Sequence, residues 1–127
     1  MSDWQDKSKL EINKAVAEID PRFESCVDVE FFANDENDQA VDVVSQGVFI
    51  CTIDYCDNPS DAWSIMMKNR ISVEYDKSDG LWVSHQGDFI MGKFVVDCGY
   101  RYQHIDENPL RAAMIVYLEM NGVKPNE

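Results

Sequence analysis

The stretch Asn108 to Asn121, read as N-P-L-R-A-A-M-I-V-Y-L-E-M-N and closed by Gly122, constrains this chain more than any other. Asn108 is placed to accept hydrogen bonds from the unpaired N–H groups of a first helical turn. Pro109 follows at the position where a missing N–H costs nothing. Asp106 and Glu107 lie at the positive end of the resulting dipole. Leu110, Ala113, Met114, Tyr117 and Leu118 recur at three- and four-residue spacing, the stripe of a helix that buries one face. Ile115 and Val116 widen the stripe, so the helix is expected to be covered on more than one side, with Arg111 and Glu119 left for its polar face. Gly122 supplies a left-handed stop and Pro125 prevents resumption.

The remaining elements follow from periodicity and punctuation. Trp4 to Asp20 reads as a helix, with Ile12, Ala15, Val16 and Ile19 as its stripe and Pro21 as its stop. Cys26 to Phe32 alternates, with Val27, Val29 and Phe31 against Asp28 and Glu30, as a half-buried strand does. Val41 to Tyr55 is apolar on both faces around Ser45-Gln46-Gly47, and Val48 to Ile53 is expected to be a well-covered strand. Asn58-Pro59 breaks it, and Ser60 or Asp61 is expected to cap a short helix through Trp63, Ile65, Met66 and Met67, stopped at Asn69. Ile71 to Tyr75 and Leu81 to His85 alternate on either side of an Asp79-Gly80 hairpin turn. Phe89 to Cys98 reads as one further strand, weakened by Gly92 and Lys93, and Tyr100 to Asp106 as the approach to the last helix. This order predicts a single α+β domain over residues 1–127, a mainly antiparallel sheet packed by N-terminal and C-terminal helices.

A formal net charge of −13 is spread unevenly. Between Arg22 and Lys68 there is no Lys or Arg, while ten carboxylates occur: Glu24, Asp28, Glu30, Asp35, Glu36, Asp38, Asp42, Asp54, Asp57 and Asp61. Such a surface repels nucleic acid and anionic lipid, so neither direct nucleic-acid binding nor membrane binding is expected. It either keeps a small protein soluble or occupies a basic groove on another protein. No apolar run approaches the roughly 20 residues that span a bilayer, and the start of the chain has no basic-then-apolar leader, which places the protein in the cytoplasm. Cys26, Cys51, Cys56 and Cys98 form no C-x-x-C pair and read as buried thiols of a reducing compartment.

Residue types that carry chemistry are present without the spacing that chemistry needs. Asn34 to Asp38 resembles half a calcium loop, but lacks the turn Gly and the closing Glu. Cys51, Cys56 and Cys98 with His85 or His104 lack the close ligand pairs of structural zinc sites. No Gly-rich elbow or phosphate loop accompanies a Ser or Cys nucleophile. Asp54, Asp57 and Asp61 crowd one turn, where such residues ordinarily cap turns and helices. Tyr55 and Trp63 flank that turn, either as an aromatic contact patch or, for Trp63, as a core anchor of its helix. No catalytic residue, metal or cofactor is expected.

Three stretches together have a familiar order: Leu10-Glu11-Ile12-Asn13-Lys14-Ala15-Val16-Ala17, Asp54-Tyr55-Cys56-Asp57-Asn58-Pro59-Ser60-Asp61-Ala62-Trp63, and Asn108-Pro109-Leu110-Arg111-Ala112-Ala113-Met114. With Ile71 and Trp82 between them, they resemble the NinX-type proteins, small proteins of the nin region of lambdoid phages and of enterobacterial prophages. Ser64 and Met66-Met67 stand where relatives often carry Pro and Ile-Ile. The resemblance covers nearly the whole chain and implies a gene product acting in the bacterial cytoplasm, with no reaction and no catalytic residues to carry over.

The expected function is that of a non-enzymatic acidic accessory protein that binds a host protein, a nucleic-acid-handling or defence factor reached by mimicry of nucleic acid. Asp35, Glu36, Asp38, Asp54, Tyr55, Asp57, Asn58, Asp61 and Trp63 are its candidate binding residues. The alternative is a small-molecule or nucleotide binder, or a hydrolase, built at the turn Asp54 to Trp63.

Overall fold

The computed structural model describes residues 3–91 and 96–125, and the side chains within those ranges other than 87–101. A 3-10 turn, Trp4–Asp6, precedes the first α-helix, α1, at Lys9–Ile19. The helix expected from Trp4 begins later because Ser8 and Glu11 form a capping box. Ser8 Oγ accepts from the Glu11 N–H at 3.1 Å, and Glu11 Oε1 from the Ser8 N–H at 3.5 Å. That pair satisfies two otherwise orphaned groups and fixes the first turn.

Strands β1 (Val29–Ala33), β2 (Val41–Ser45) and β3 (Val48–Ile53) form an antiparallel sheet in the order β1-β2-β3. The interruption at Gln46-Gly47 is a two-residue hairpin turn with φ of 51° and 76°, the left-handed pair that suits the twist of the flanking strands. Val41, Val43 and Ile53 point into the core, and Val29, Phe31 and Cys51 pack against it. The expectation that Val48 to Ile53 is covered on both faces is wrong. Val48 is 62% exposed, Phe49 59% and Ile50 47%. β3 is an edge strand, α1 packs on the sheet, and a register shift opposite Val43 and Val44 makes Ile50 the extra residue of a bulge.

Helix α2 spans Pro59–Asn69 and is capped by Asn58, whose side chain accepts from the Ser60 N–H at 3.0 Å, ahead of the Ser60 or Asp61 cap expected. It continues unbroken through Ser64, Met66 and Met67. Its stop is Arg70, not Asn69. Arg70 adopts φ 55° and ψ 43°, while the Ile71 N–H donates to the Met66 carbonyl at 2.9 Å. A side chain in that left-handed region costs roughly 1 kcal/mol that glycine avoids. Arg70→Gly is therefore expected to raise the melting temperature by about 3 °C; calorimetry showing an unchanged or lower value would contradict this account of the helix end.

Strands β4 (Ser72–Asp76), β5 (Leu81–Met91) and β6 (Val96–Asp106) make a second antiparallel sheet in the order β4-β5-β6. The single strand expected from Phe89 to Cys98 is instead divided between β5 and β6, with Phe89 facing Cys98 across the pair. Alternation alone does not distinguish one long strand from two arms of a hairpin. Gly92 and Lys93 lie outside the described residues. Tyr100 to Asp106 belongs to β6 rather than to a connecting segment.

Helix α3, Pro109–Met120, packs on the β4-β5-β6 sheet and against both other helices. That environment explains why every residue from Ala112 to Leu118 is buried. Asn108 caps it by accepting from the Leu110 and Arg111 N–H groups at 2.9 and 3.0 Å. At the other end Val123 N–H reaches the Leu118 carbonyl at 3.0 Å and Gly122 N–H reaches Glu119 at 3.1 Å, with Gly122 at φ 69°. This is the paired bond pattern of a left-handed helix stop. Ile12, Val16, Val41, Ile53, Tyr55, Met114 and Leu118 belong to one continuous core contributed by both helices and strands.

Candidate functional site

Asn13, on the inner face of α1, has no exposed surface. Its Nδ2 donates to the Gln39 carbonyl at 2.8 Å and to Asp54 Oδ1 at 3.0 Å, and its Oδ1 accepts from the Cys56 N–H at 3.1 Å. A buried amide with both ends satisfied is a fixed point, because leaving either end unpaired is costly. Asp54 also accepts from the Asp57 N–H at 3.2 Å, and Asp61 Oδ2 accepts from the Asp54 N–H at 2.9 Å. Asp57 pairs with Lys9 Nζ at 2.9 Å and accepts from Asn108 Nδ2 at 2.9 Å. The three stretches Leu10–Ala17, Asp54–Trp63 and Asn108–Met114 thus meet at one polar junction that ties all three helices together.

That junction accounts for several candidate residues. Asp54, Asp57, Asn58 and Asp61 are brought together, and each is engaged by the chain itself. Tyr55 is fully buried and donates to Asp20 Oδ2 at 2.5 Å. Burial first, and then the Asp20 carboxylate, push the Tyr55 hydroxyl well above its ordinary pKa. Burial does the same to the thiols of Cys56 and Cys51, which leaves neither as a ready nucleophile. Trp63 is 61% exposed, so it neither anchors the core of α2 nor joins Tyr55 in an aromatic patch; Ala62, Ile65 and Met66 supply that anchor. With Met67 one turn along, Trp63 forms an exposed apolar stripe on α2.

Ser84, His104 and Asp106 are the residue types of a nucleophilic triad, and Ser84 faces His104 across β5 and β6. Ser84 has no exposed surface, however, and a hydroxyl closed off in this way has no route to a substrate. Burial pushes the His104 imidazole below its ordinary pKa, opposed by Asp106, whose Oδ2 lies 3.8 Å from His104 Nε2. Asp106 is already paired with Arg111. Among the described residues no group of three or more His, Cys, Asp or Glu side chains is arranged to hold a metal ion. The side chain of Cys98 lies outside the described residues.

Asp35, Glu36 and Asp38 sit together on the loop between β1 and β2, all exposed. Asn34 and Asn37 shape that loop. Asn34 Oδ1 accepts from the Glu36 and Asn37 N–H groups at 3.0 and 2.9 Å, and Asn37 Oδ1 from Gln39 at 3.1 Å. The carboxylates are left facing solvent.

One surface was not singled out from the sequence. The outer face of the β1-β2-β3 sheet carries two cross-strand rows, Phe32–Asp42–Thr52 and Glu30–Val44–Phe49. Phe32 is 48% exposed. Asp42 Oδ1 accepts from Asn34 Nδ2 at 2.8 Å and from Thr52 Oγ1 at 2.7 Å, which holds its carboxyl below the usual range. The available signal was the doublet Phe31-Phe32, since in a strand only one of two consecutive side chains can face the core.

Three α-helices and two antiparallel sheets among the described residues, with a run of ten carboxylates without Lys or Arg, define an acidic α+β protein. The family described as Bacteriophage P22 NinX matches residues 3–121. The chain belongs to that family and is a phage accessory protein. No curated protein and no solved structure matches it. No helix among the described residues is long and apolar enough to cross a membrane.

Proposed function

We propose that this chain is a non-enzymatic accessory protein that binds a basic host protein through the surface Glu24 to Asp61, in the manner of a nucleic-acid mimic. The observation that carries this reading is a sheet face that combines exposed aromatic residues with carboxylates, in a stretch without Lys or Arg. Exposed apolar side chains ringed by charge of one sign are a common form of protein-contact surface. A nucleic-acid-handling or defence factor, with its own basic groove, has the complementary charge. The carboxylates of Asp54, Asp57 and Asp61 are engaged at the junction described above, which favours the sheet and its loop over that turn as the contact surface.

Complementary charge speeds encounter and makes binding sensitive to salt. Affinity capture from bacterial lysate at low and high salt, read by mass spectrometry, is expected to yield a basic protein that elutes as salt rises. Reversing charge at Asp35, Glu36 and Asp38 together should weaken that complex by about tenfold or more at low salt. Unchanged affinity in the triple variant would remove the loop from the interface, and the absence of any salt-sensitive partner would overturn the reading.

A further inference from the structure

Resting on that reading, we infer that the outer face of the β1-β2-β3 sheet is a seat for an arginine-bearing amphipathic helix of the partner, with Asp42 as the anchor between Phe32 and Phe49. Both donors to Asp42 reach Oδ1, and no hydrogen bond among the described residues occupies Oδ2. The carboxylate is therefore fixed in position and ionised, with one oxygen open to an incoming donor. Phe32 lies directly across from it on β1, and Phe49, the partner of Val44 two residues along β2, lies diagonally from it on β3. A planar guanidinium suits both partners, since it pairs with a carboxylate and stacks on an aromatic ring.

The size of the face also selects its occupant. Three strands of five to six residues span about 10 Å by roughly 17 Å, the footprint of about three turns of one helix. Apolar side chains of that helix would lie on Val44, Phe49 and the bulged Ile50. Its cations would meet Asp42 at the centre, Glu30 on the same face, and Asp28, Asp35, Glu36 and Asp38 around the rim. No Lys or Arg occurs between residues 23 and 67 to oppose them. An acidic helix or a nucleic-acid strand would be repelled by the same groups.

The test is a titration of the isotopically labelled full-length protein with a capped helical peptide of leucine, alanine and arginine, followed by amide chemical shifts. The same peptide with glutamate for each arginine serves as the control. Arginine-dependent shifts are expected to centre on Glu30, Phe32, Asp42, Val44 and Phe49. Asp42→Asn, which keeps an acceptor for Thr52, should weaken binding by about tenfold, and Phe49→Ser by a similar factor, with the rest of the spectrum unchanged. Shifts centred on Asp35, Glu36 and Asp38, with no effect of Asp42→Asn, would overturn the Asp42 seat and leave the acidic-surface reading standing. No arginine-dependent shift anywhere between Glu24 and Asp61, or equal binding of the glutamate peptide, would overturn both.

Discussion

Asn13→Leu is expected to lower the unfolding free energy by about 2–4 kcal/mol. The replacement is close in shape and apolar, so the effect is not one of packing volume. It lies in what remains behind: the Cys56 N–H, the Gln39 carbonyl and the Asp54 carboxylate each lose a partner. The Cys56 N–H is left buried without that partner, at roughly 1–3 kcal/mol, while the half-buried Gln39 carbonyl and Asp54, which keeps the Asp57 N–H, add less. Asn13→Asp should be worse at neutral pH, because it retains the acceptor for Cys56 but faces Asp54 with a second negative charge. Burial beside that carboxylate raises the pKa of the new acid above its unfolded value, so the variant regains stability as the pH falls through the carboxyl range. Urea denaturation at constant m-value measures both variants. A loss below about 1 kcal/mol for Asn13→Leu would show that the junction is held elsewhere.

The junction bears on function by what it removes from consideration. Asp54, Asp57 and Asp61 resemble a catalytic or metal-binding cluster when read along the chain, because proximity in sequence is visible there and hydrogen-bond commitment is not. Only the folded chain shows that Asp54 is matched to Asn13, Asp57 to Lys9 and Asn108, and Asp61 to the Asp54 backbone. Trp63 is exposed at the end of the turn, beside the exposed residues 57–60, and its exposure was open in the sequence. Conversely, Asp42 was visible only as one of ten carboxylates. Its significance depends on Asn34 and Thr52 converging on one oxygen and on the register that sets Phe32 opposite.

Legibility of the fold followed the strength of the local signals. The final helix, its Asn108 cap and its Gly122 stop were readable because propensity, capping and periodicity agree there. The start of α1 differs from the expected Trp4 because the apolar stripe begins only at Ile12 and the capping box at Ser8 and Glu11 sets the first turn. Val48 to Ile53 was identified as a strand, but its cover was misjudged, since an apolar run reports strand character without reporting whether a second layer lies on it. The Arg70 stop was not readable at all. By residue type Asn69 is the better left-handed residue, yet it stays helical with its Nδ2 donating to the Ile65 carbonyl at 2.8 Å, and Arg70 takes the left-handed position.

Arg111→Met is the second large effect expected, a loss of about 3–5 kcal/mol from breaking a buried ion pair. Expected on the polar face of α3, Arg111 instead has a side chain only 12% exposed, paired with Asp106 at 9%. Its Nη2 also donates to the carbonyls of Trp4, Gln5 and Lys7 at 3.2, 2.9 and 2.8 Å. One guanidinium thereby fastens the start of the chain to the end of β6, assisted by Trp4 Nε1, which donates to the Val123 carbonyl at 3.0 Å. Lysine cannot replace this fork, because a single ammonium does not reach the carboxylate and three carbonyls together, so Arg111→Lys should also lose about 2 kcal/mol or more. Limited proteolysis at Lys7 and Lys9 should accelerate in both variants as the opening segment is released. The pH dependence separates this explanation from a simple packing defect. In the native chain the His104 imidazole is depressed by burial, raised by Asp106, and lowered again by Arg111. A base with a depressed folded pKa costs stability as the pH falls through its unfolded value. Without Arg111 one of the influences that lower the His104 pKa is removed, so the depression is smaller. A smaller depression means less stability lost as the pH falls. The deficit of Arg111→Met relative to the native chain should therefore shrink between about pH 8 and about pH 5.5, across the ordinary histidine range. A deficit that is constant over that range would assign Arg111 a packing role alone.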